Sequence, residues 1–393
     1  METWPMGIKI LFVDDEPDLE LLVRQKFRRQ IRDGEYEFVF ARNGVQALEK
    51  LHEDAEICIV LTDINMPEMD GLTLLMRLNE CNELLKAVVI SAYGDLGNIR
   101  TAMNRGAFDF LTKPIDFQDL EITMHKTLKI VAELRQAAQD HNQLVAIQRE
   151  MDIARKLQQS ILPKAFSPFS HAPLVDLHAV MVPAQDVGGD FYDFFFLDQN
   201  RLALVIADVC GKGVPASLFM MMSRTLLKSQ AILGLSPSEC LHQVNNYLCA
   251  DNSAEMFVTL FYGIFDARTG TLEYSSGGHN PPFTIRNGGT VEVLPRRGGT
   301  ALGVFENSTY QAGSITLAPN DSLILYTDGV TEAEDKSGAF YGTERFSTFL
   351  ASMAGLPASR VTRAVLDDVH AFASGARQSD DITALALRFV PSS

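Results

Sequence analysis

The chain has 393 residues, of which 46% are hydrophobic and 21% charged, and a formal net charge of −16. That length and balance suit two or three ordered domains with sizeable cores. An acidic chain with no strong basic patch excludes nucleic acid as the main partner. No apolar run approaches the ~18 residues that span a bilayer, and the N-terminus lacks a signal-peptide pattern. Five cysteines (Cys58, Cys81, Cys210, Cys240, Cys249) are odd in number and lack metal-type pairing. They read as reduced thiols, so the expected location is cytoplasmic, with no membrane partner.

Residues 8–125 alternate short apolar runs (IKILFVDD, YEFVFA, ICIVLTD, AVVISA, DFLTKP) with helix-period segments. This alternation predicts a doubly wound parallel α/β sheet over 1–125. Ligands of such sheets bind beyond the carboxyl ends of the strands. Asp14, Asp15, Asp63, Ser91 and Lys113 all fall at such ends.

Residues 117–162 hold no Gly or Pro and are rich in helix formers. Apolar positions recur at Met124, Leu128, Val131, Leu134 and Ala138, then at Leu144, Ile147, Met151, Ala154 and Ile161. The register slips near His141, so the reading is a long helix or a helix pair with a sticky stripe. The stripe either packs on its own domain or forms a coiled coil. Residues 126–165 are thus assigned as a helical linker for dimerisation and signalling.

From Leu174 onward, many strand-like runs are separated by Gly-rich turns, with helical patterns near 214–232, 237–250 and 358–374. Residues 166–393 are expected to form an α+β sandwich.

The chemistry of the first domain centres on Asp63. With Asp14 and Asp15 it recruits a hard divalent ion, magnesium, helped by the backbone carbonyl of Asn65. The Asp63 carboxylate can then attack a phosphoryl group to give an acyl phosphate. Lys113 supplies positive charge to the phosphate oxygens and Ser91 a hydroxyl. The ordered set VDDEP, TDINMPEMDG, VVISA and FDFLTKP resembles response-regulator receiver domains. The resemblance implies that Asp63 is the phosphorylated residue, Asp14 and Asp15 hold magnesium, and Ser91 and Lys113 sense the phosphate. It puts Phe110 at the aromatic switch position. It also implies a sensor histidine kinase or phosphotransfer protein as partner.

In the second domain, VGGDFYDFF, ADVCGKG, YTDGVTEA and SDDIT place Asp190, Asp208, Asp328 and Asp380 beside apolar strands or glycines. Four such carboxylates can hold two divalent ions and a water of lowered pKa, in line with a phosphate. Glycines, Gly211 among them, allow close backbone approach. The pattern resembles metal-dependent serine/threonine phosphatases (PPM) of the RsbU/SpoIIE type. That resemblance implies a β-sandwich flanked by helices and two manganese or magnesium ions. It assigns Asp208 as the bridging ligand, the Val209 carbonyl as a further ligand, and Asp328 and Asp380 to one ion each. Asp190 is either a ligand or a holder of nearby water, Asp381 could substitute for Asp380, and Asp193 supports the ligands. Cys210 reads as an oxidant-sensitive thiol or a small filler, and His279 in GGHNPP as a hydrogen-bond donor to phosphate or a turn stabiliser.

The resulting expectation is a multidomain, homodimeric response regulator. Receiver phosphorylation controls a phosphoserine/phosphothreonine protein phosphatase acting on a phosphorylated anti-sigma-factor antagonist. The other reading is a non-catalytic adaptor that binds a sigma factor or its regulator.

Overall fold

The structure is a computed structural model that describes residues 7–81, 84–92, 95–163, 175–250 and 252–390. The expected junction at 165/166 and Leu174, where the strand-like pattern begins, lie outside the described residues, as does the Cys81 side chain. The chain forms two compact units, Met1–Ile147 and Gln148–Ser393.

In the first unit, five strands form one parallel sheet in the order Tyr36–Ala41, Ile8–Val13, Ile57–Asp63, Lys86–Ala92, Asp109–Lys113. Both faces are covered. Ile10, Phe12, Ile59, Leu61, Val88 and Ile90 point to one side and Leu11, Val60, Val89, Leu74 and Leu75 pack on the other. Each such side chain contributes about 1.5–3 kcal/mol relative to exposure. This two-sided burial explains why the strands read as continuous apolar runs.

Helix Phe117–Ile161 is one uninterrupted element of 45 residues, so the helix pair is not formed. Asp116 caps its start by accepting from the Gln118 amide at 2.8 Å. The stripe divides. Leu120, Met124 and Leu128 belong to the core of the first unit and Val131 is buried, whereas Leu134, Leu144 and Ile147 are exposed.

The second unit contains two five-stranded antiparallel sheets. One runs Gly313–Thr316, Thr271–Gly277, Val258–Asp266, Arg201–Val209, Phe191–Phe196; the other runs Val291–Val293, Phe283–Ile285, Ser322–Tyr326, Ile382–Phe389, Val175–Val182. Alternation decides which side each residue takes. Leu323, Leu325, Leu385 and Leu387 face the core shared with the first sheet. Ile324, Tyr326, Ala384 and Ala386 face helices Thr343–Ala351 and Ala358–Ala373. Helices Val214–Ala231 and Pro237–Ala250 cover the other side of the sandwich through Phe219, Met220, Leu241 and Val244. Three of these helices match the expected ones; Thr343–Ala351 was not anticipated.

Candidate metal centres

At the sheet edge of the first unit, strand Ile8–Val13 delivers buried Asp14 and strand Ile57–Asp63 ends on buried Asp63. Asp14 Oδ1 accepts from the Glu16 amide at 2.9 Å, a turn that leads into a helix with Pro17 first. Lys113 Nζ then reaches Asp63 at 2.6 Å and Asp14 and Glu16 at 3.0 Å each. Burial by itself lowers the Lys113 pKa, but these carboxylates more than offset it and hold the ammonium above its usual range. Burial pushes the Asp14 carboxyl upward.

Carboxylate oxygens of Asp14, Glu16 and Asp63 lie within 4.8 Å of one another, the one such acidic trio among the described residues. Glu16 joins Asp14 and Asp63 in this trio; Asp15, like Glu16, is exposed and its carboxylate is not one of the three. The Asn65 amide approaches Asp63 Oδ1 at 3.3 Å. Ser91 Oγ is buried on the neighbouring strand, with no hydrogen-bond partner among the described residues. Phe110 is 40% exposed on the last strand.

In the second unit the four expected acids come from both sheets. Asp208 lies near the end of Arg201–Val209 and Asp190 just before Phe191–Phe196; Asp328 follows Ser322–Tyr326 and Asp380 precedes Ile382–Phe389. Asp190 is buried and its Oδ2 accepts from Thr327 Oγ1 at 2.7 Å and Thr383 Oγ1 at 2.6 Å. Burial, then repulsion from Asp208 and Asp381, raises its pKa well above the carboxylate range. Asp208 is pushed up to about 7 by burial and by the charges of Asp328, Asp380 and Asp381. Asp328 is raised by burial, Glu332 and Asp380. These acids feel one another, and their protons stand in for missing positive charge.

Asp380 and Asp381 differ in what they hold. Asp381 Oδ1 accepts from Ala184 N at 2.7 Å, and its Oδ2 from Gly189 N at 2.7 Å and Asp190 N at 3.2 Å, so it fixes the loop that carries Asp190. Asp380 Oδ1 accepts from Asp381 N at 2.9 Å and its Oδ2 meets Lys212 at 3.0 Å. Asp193 pairs with Arg224 at 2.8 Å in a buried ion pair. Gly329 is required by close approach, because a Cβ there would overlap the Asp381 carbonyl. Val209 is buried beside Val258, and Gly211 holds a positive φ of 82°.

His279 is a turn stabiliser. Its Nδ1 meets Thr259 Oγ1 at 2.9 Å and its Nε2 the Tyr326 carbonyl at 3.1 Å; burial drops its pKa to about 4. Cys210 Sγ accepts from the Phe257 amide at 3.1 Å. The end of the long helix clamps the same Asp190 loop. Gln158 donates to the Gly188 carbonyl at 2.6 Å and accepts from Gly188 N at 3.0 Å, and Arg155 grips Asp186 at 2.6 and 2.8 Å.

Two families match. The response regulator receiver domain covers residues 10–125 and Stage II sporulation protein E (SpoIIE) covers 198–390. The chain joins a response-regulator receiver domain to a SpoIIE-family phosphatase domain. Protein IcfG of Synechocystis sp. is 32% identical over 266 residues, 61% of this chain and 41% of IcfG. Phosphoserine phosphatase RsbU of Bacillus subtilis is 29% identical over 225 residues, 56% of this chain and 66% of RsbU. The chain thus spans less than two thirds of the length of these relatives. The SiaA-PP2C domain of Pseudomonas aeruginosa superposes with a TM-score of 0.56 at 24% identity, covering 63% of this chain and 98% of that domain, a likeness of fold.

The two acid sets differ as cation sites: among the described residues only the receiver trio brings three carboxylate oxygens within 4.8 Å of one another, while the phosphatase acids sense one another electrostatically without closing to that distance. The receiver set offers three oxygens within one ion's reach, with an unpartnered hydroxyl on the neighbouring strand. The phosphatase set offers mutually repelling carboxylates whose raised pKa values register a deficit of positive charge. Thr327, Thr383 and Lys212 lie inside motifs read from the sequence, yet their contacts were not foreseen. Arg155 and Gln158 lie in REMDIARKLQQSILPK, a stretch that resembles the regulatory helix leading into the catalytic domain of the RsbU/SpoIIE type, but their contacts were not foreseen. No helix among the described residues is long and apolar enough to cross a membrane.

Proposed function

We propose that this chain is a two-component response regulator whose phosphorylation at Asp63 controls the hydrolysis of phosphoserine or phosphothreonine on a protein. The reading is supported most by one observation: the SpoIIE family matches residues 198–390, and Asp190, Asp208, Asp328 and Asp380 stand at strand ends of both sheets of that domain. Two divalent ions, manganese or magnesium, held by Asp190, Asp208, the Val209 carbonyl, Asp328 and Asp380 would activate a water and neutralise charge on the phosphoryl group. In the hydrolysis, a water oxygen bonds to phosphorus, the phosphorus–oxygen bond to the side chain breaks, and the alcohol and inorganic phosphate leave. Asp381, Thr327 and Thr383 fix Asp190 in place throughout.

In the receiver, magnesium held by Asp14, Asp15, Asp63 and the Asn65 carbonyl would steady the incoming phosphoryl group. The Asp63 carboxylate takes that group from a sensor histidine kinase or phosphotransfer protein. Lys113 and Ser91 then contact the new phosphate, and Phe110 shifts with it. Segment 126–165 links the two events, as a dimerising helix whose last turns grip the Asp190 loop through Gln158 and Arg155. The substrate we assign is a phosphorylated anti-sigma-factor antagonist in the cytoplasm, by analogy with RsbU, a phosphoserine phosphatase. Retention of all four acids favours an enzyme over a binding adaptor.

The test is phosphate release from a phosphoserine protein of the antagonist class, with and without Mn²⁺. Metal-dependent release supports the enzyme. Tight binding of the unphosphorylated partner with no release in any metal supports the adaptor instead.

A further inference from the structure

In the motif ADVCGKG, Lys212 stands between two glycines, Gly211 and Gly213, with φ of +82° and +75°. This turn returns the lysine stem to the segment before Ile382–Phe389. There its Nζ lies 3.0 Å from Asp380 Oδ2 and donates to the Ser379 carbonyl. Among the described residues, no other lysine or arginine forms an ion pair with Asp190, Asp208, Asp328 or Asp380. Its charge also reaches Asp328 and opposes the upward push there. The side chain is about one-third exposed, so it is open to a ligand.

An ammonium has three donors on a flexible stem. One is spent on Ser379 and one on Asp380, which leaves a third. Cations held by the carboxylates would compete with the ammonium for Asp380 and so would free a second donor of Lys212. The strongest remaining acceptor at the site is then the phosphoryl group itself. The receiver offers a parallel within the same chain: Lys113 bridges acids at a site that is to receive a phosphoryl group.

We propose that Lys212 is a phosphate-binding residue of the hydrolase site, contacting the dianionic phosphoryl group of a phosphomonoester and the inorganic phosphate it releases. This rests on the metal-dependent hydrolase reading above. A purely structural lysine would instead only tie the turn at Gly211–Gly213 to Ser379 and Asp380.

The experiment uses the full chain, titrated with Mn²⁺ and then, at saturating Mn²⁺, with inorganic phosphate in a calorimeter. Lys212→Gln should weaken phosphate binding about tenfold or more, as expected for loss of a hydrogen bond to a charged group. Its Mn²⁺ affinity without phosphate should stay within about threefold of wild type or tighten, since a competing cation is gone. Lys212→Arg should recover most of the phosphate affinity. Unchanged phosphate affinity in a Mn²⁺-loaded Lys212→Gln protein overturns the proposal and leaves the hydrolase reading intact. Loss of Mn²⁺ binding by that variant also overturns it, in favour of the structural tie. Failure of the wild-type protein to take up Mn²⁺ overturns the hydrolase reading, and this inference with it.

Discussion

In the receiver, Asp14, Glu16 and Asp63 share the Lys113 ammonium at 3.0, 3.0 and 2.6 Å. In the phosphatase domain, Asp380 meets Lys212, while Asp190, Asp208 and Asp328 have no ion-pair partner among the described residues. The first cluster shares one internal ammonium among three carboxylates, which offsets part of their charge and leaves room for a divalent ion. That suits a site that must accept and lose a phosphoryl group reversibly. The second cluster is left in electrostatic debt: burial and repulsion raise three of its acids, one to about 7. Like charges gathered without a cation are costly, so this arrangement is a standing demand for divalent ions.

The largest expected effect removes an acid from the indebted cluster. Asp208→Asn or Asp328→Asn should lower Mn²⁺-dependent phosphate release by well over the ~10–100-fold typical of residues that only support a ligand. The same variants should stay folded, and in the absence of metal should melt above the wild type, because repulsion is relieved. Folded variants with near-normal turnover would break the contrast between the two clusters.

The converse change makes the receiver resemble the phosphatase domain. Lys113→Met strips three acids of their shared cation. It should destabilise the metal-free receiver by about 1–3 kcal/mol, with magnesium restoring a larger share of stability than it adds to the wild type. Equal responses of the two proteins to magnesium in thermal melts would show that Lys113 is not the internal counter-charge.

A third change tests whether His279 belongs to the frame or to the chemistry. Its folded pKa, about 4, lies below the ordinary 6.5. The stability contributed by the neutral ring is therefore present above pH 6.5 and is lost as pH falls toward 4. By pH 5 the wild type should lose about 2 kcal/mol relative to His279→Gln. Parallel pH–stability curves for the two proteins would rule out a buried neutral ring.

The smallest effect concerns the helix. Glu at Leu144 and Ile147, both exposed, should leave the fold intact but weaken self-association in light scattering. An unchanged mass would restrict the stripe to the part that packs in its own unit. Glu at Val131 is unsuitable for this purpose, since that side chain is buried.

The strand-end acids were legible because each follows or precedes an apolar run of strand length, and strand ends in layered folds converge. What ties them down was not. Thr383 and Asp190 are 193 positions apart, and Gln158 and Gly188 are 30 apart. Such pairs depend on how distant segments come together, which local pattern does not encode. The choice between Asp380 and Asp381 stayed open in sequence because the two are adjacent. The structure adds that Asp381 accepts three backbone amides, which local pattern does not reveal. Nor was Glu16 foreseen beside Lys113: the turn held by Asp14 Oδ1 brings it there. The helix stripe divided because periodicity reports an apolar face and says nothing of what covers it.

The central claim is that the lysine-bridged receiver cluster governs the phosphatase cluster. The direct measurement is the rate of phosphate release from a phosphoserine protein by the full chain with Mn²⁺ and Mg²⁺, before and after a small phosphodonor. It is made in parallel on wild type and Asp63→Asn. The account predicts that the donor changes the wild-type rate severalfold, in either direction, and leaves Asp63→Asn unchanged. A wild-type rate indifferent to the donor, with Asp63 shown to be phosphorylated by mass spectrometry, would contradict it.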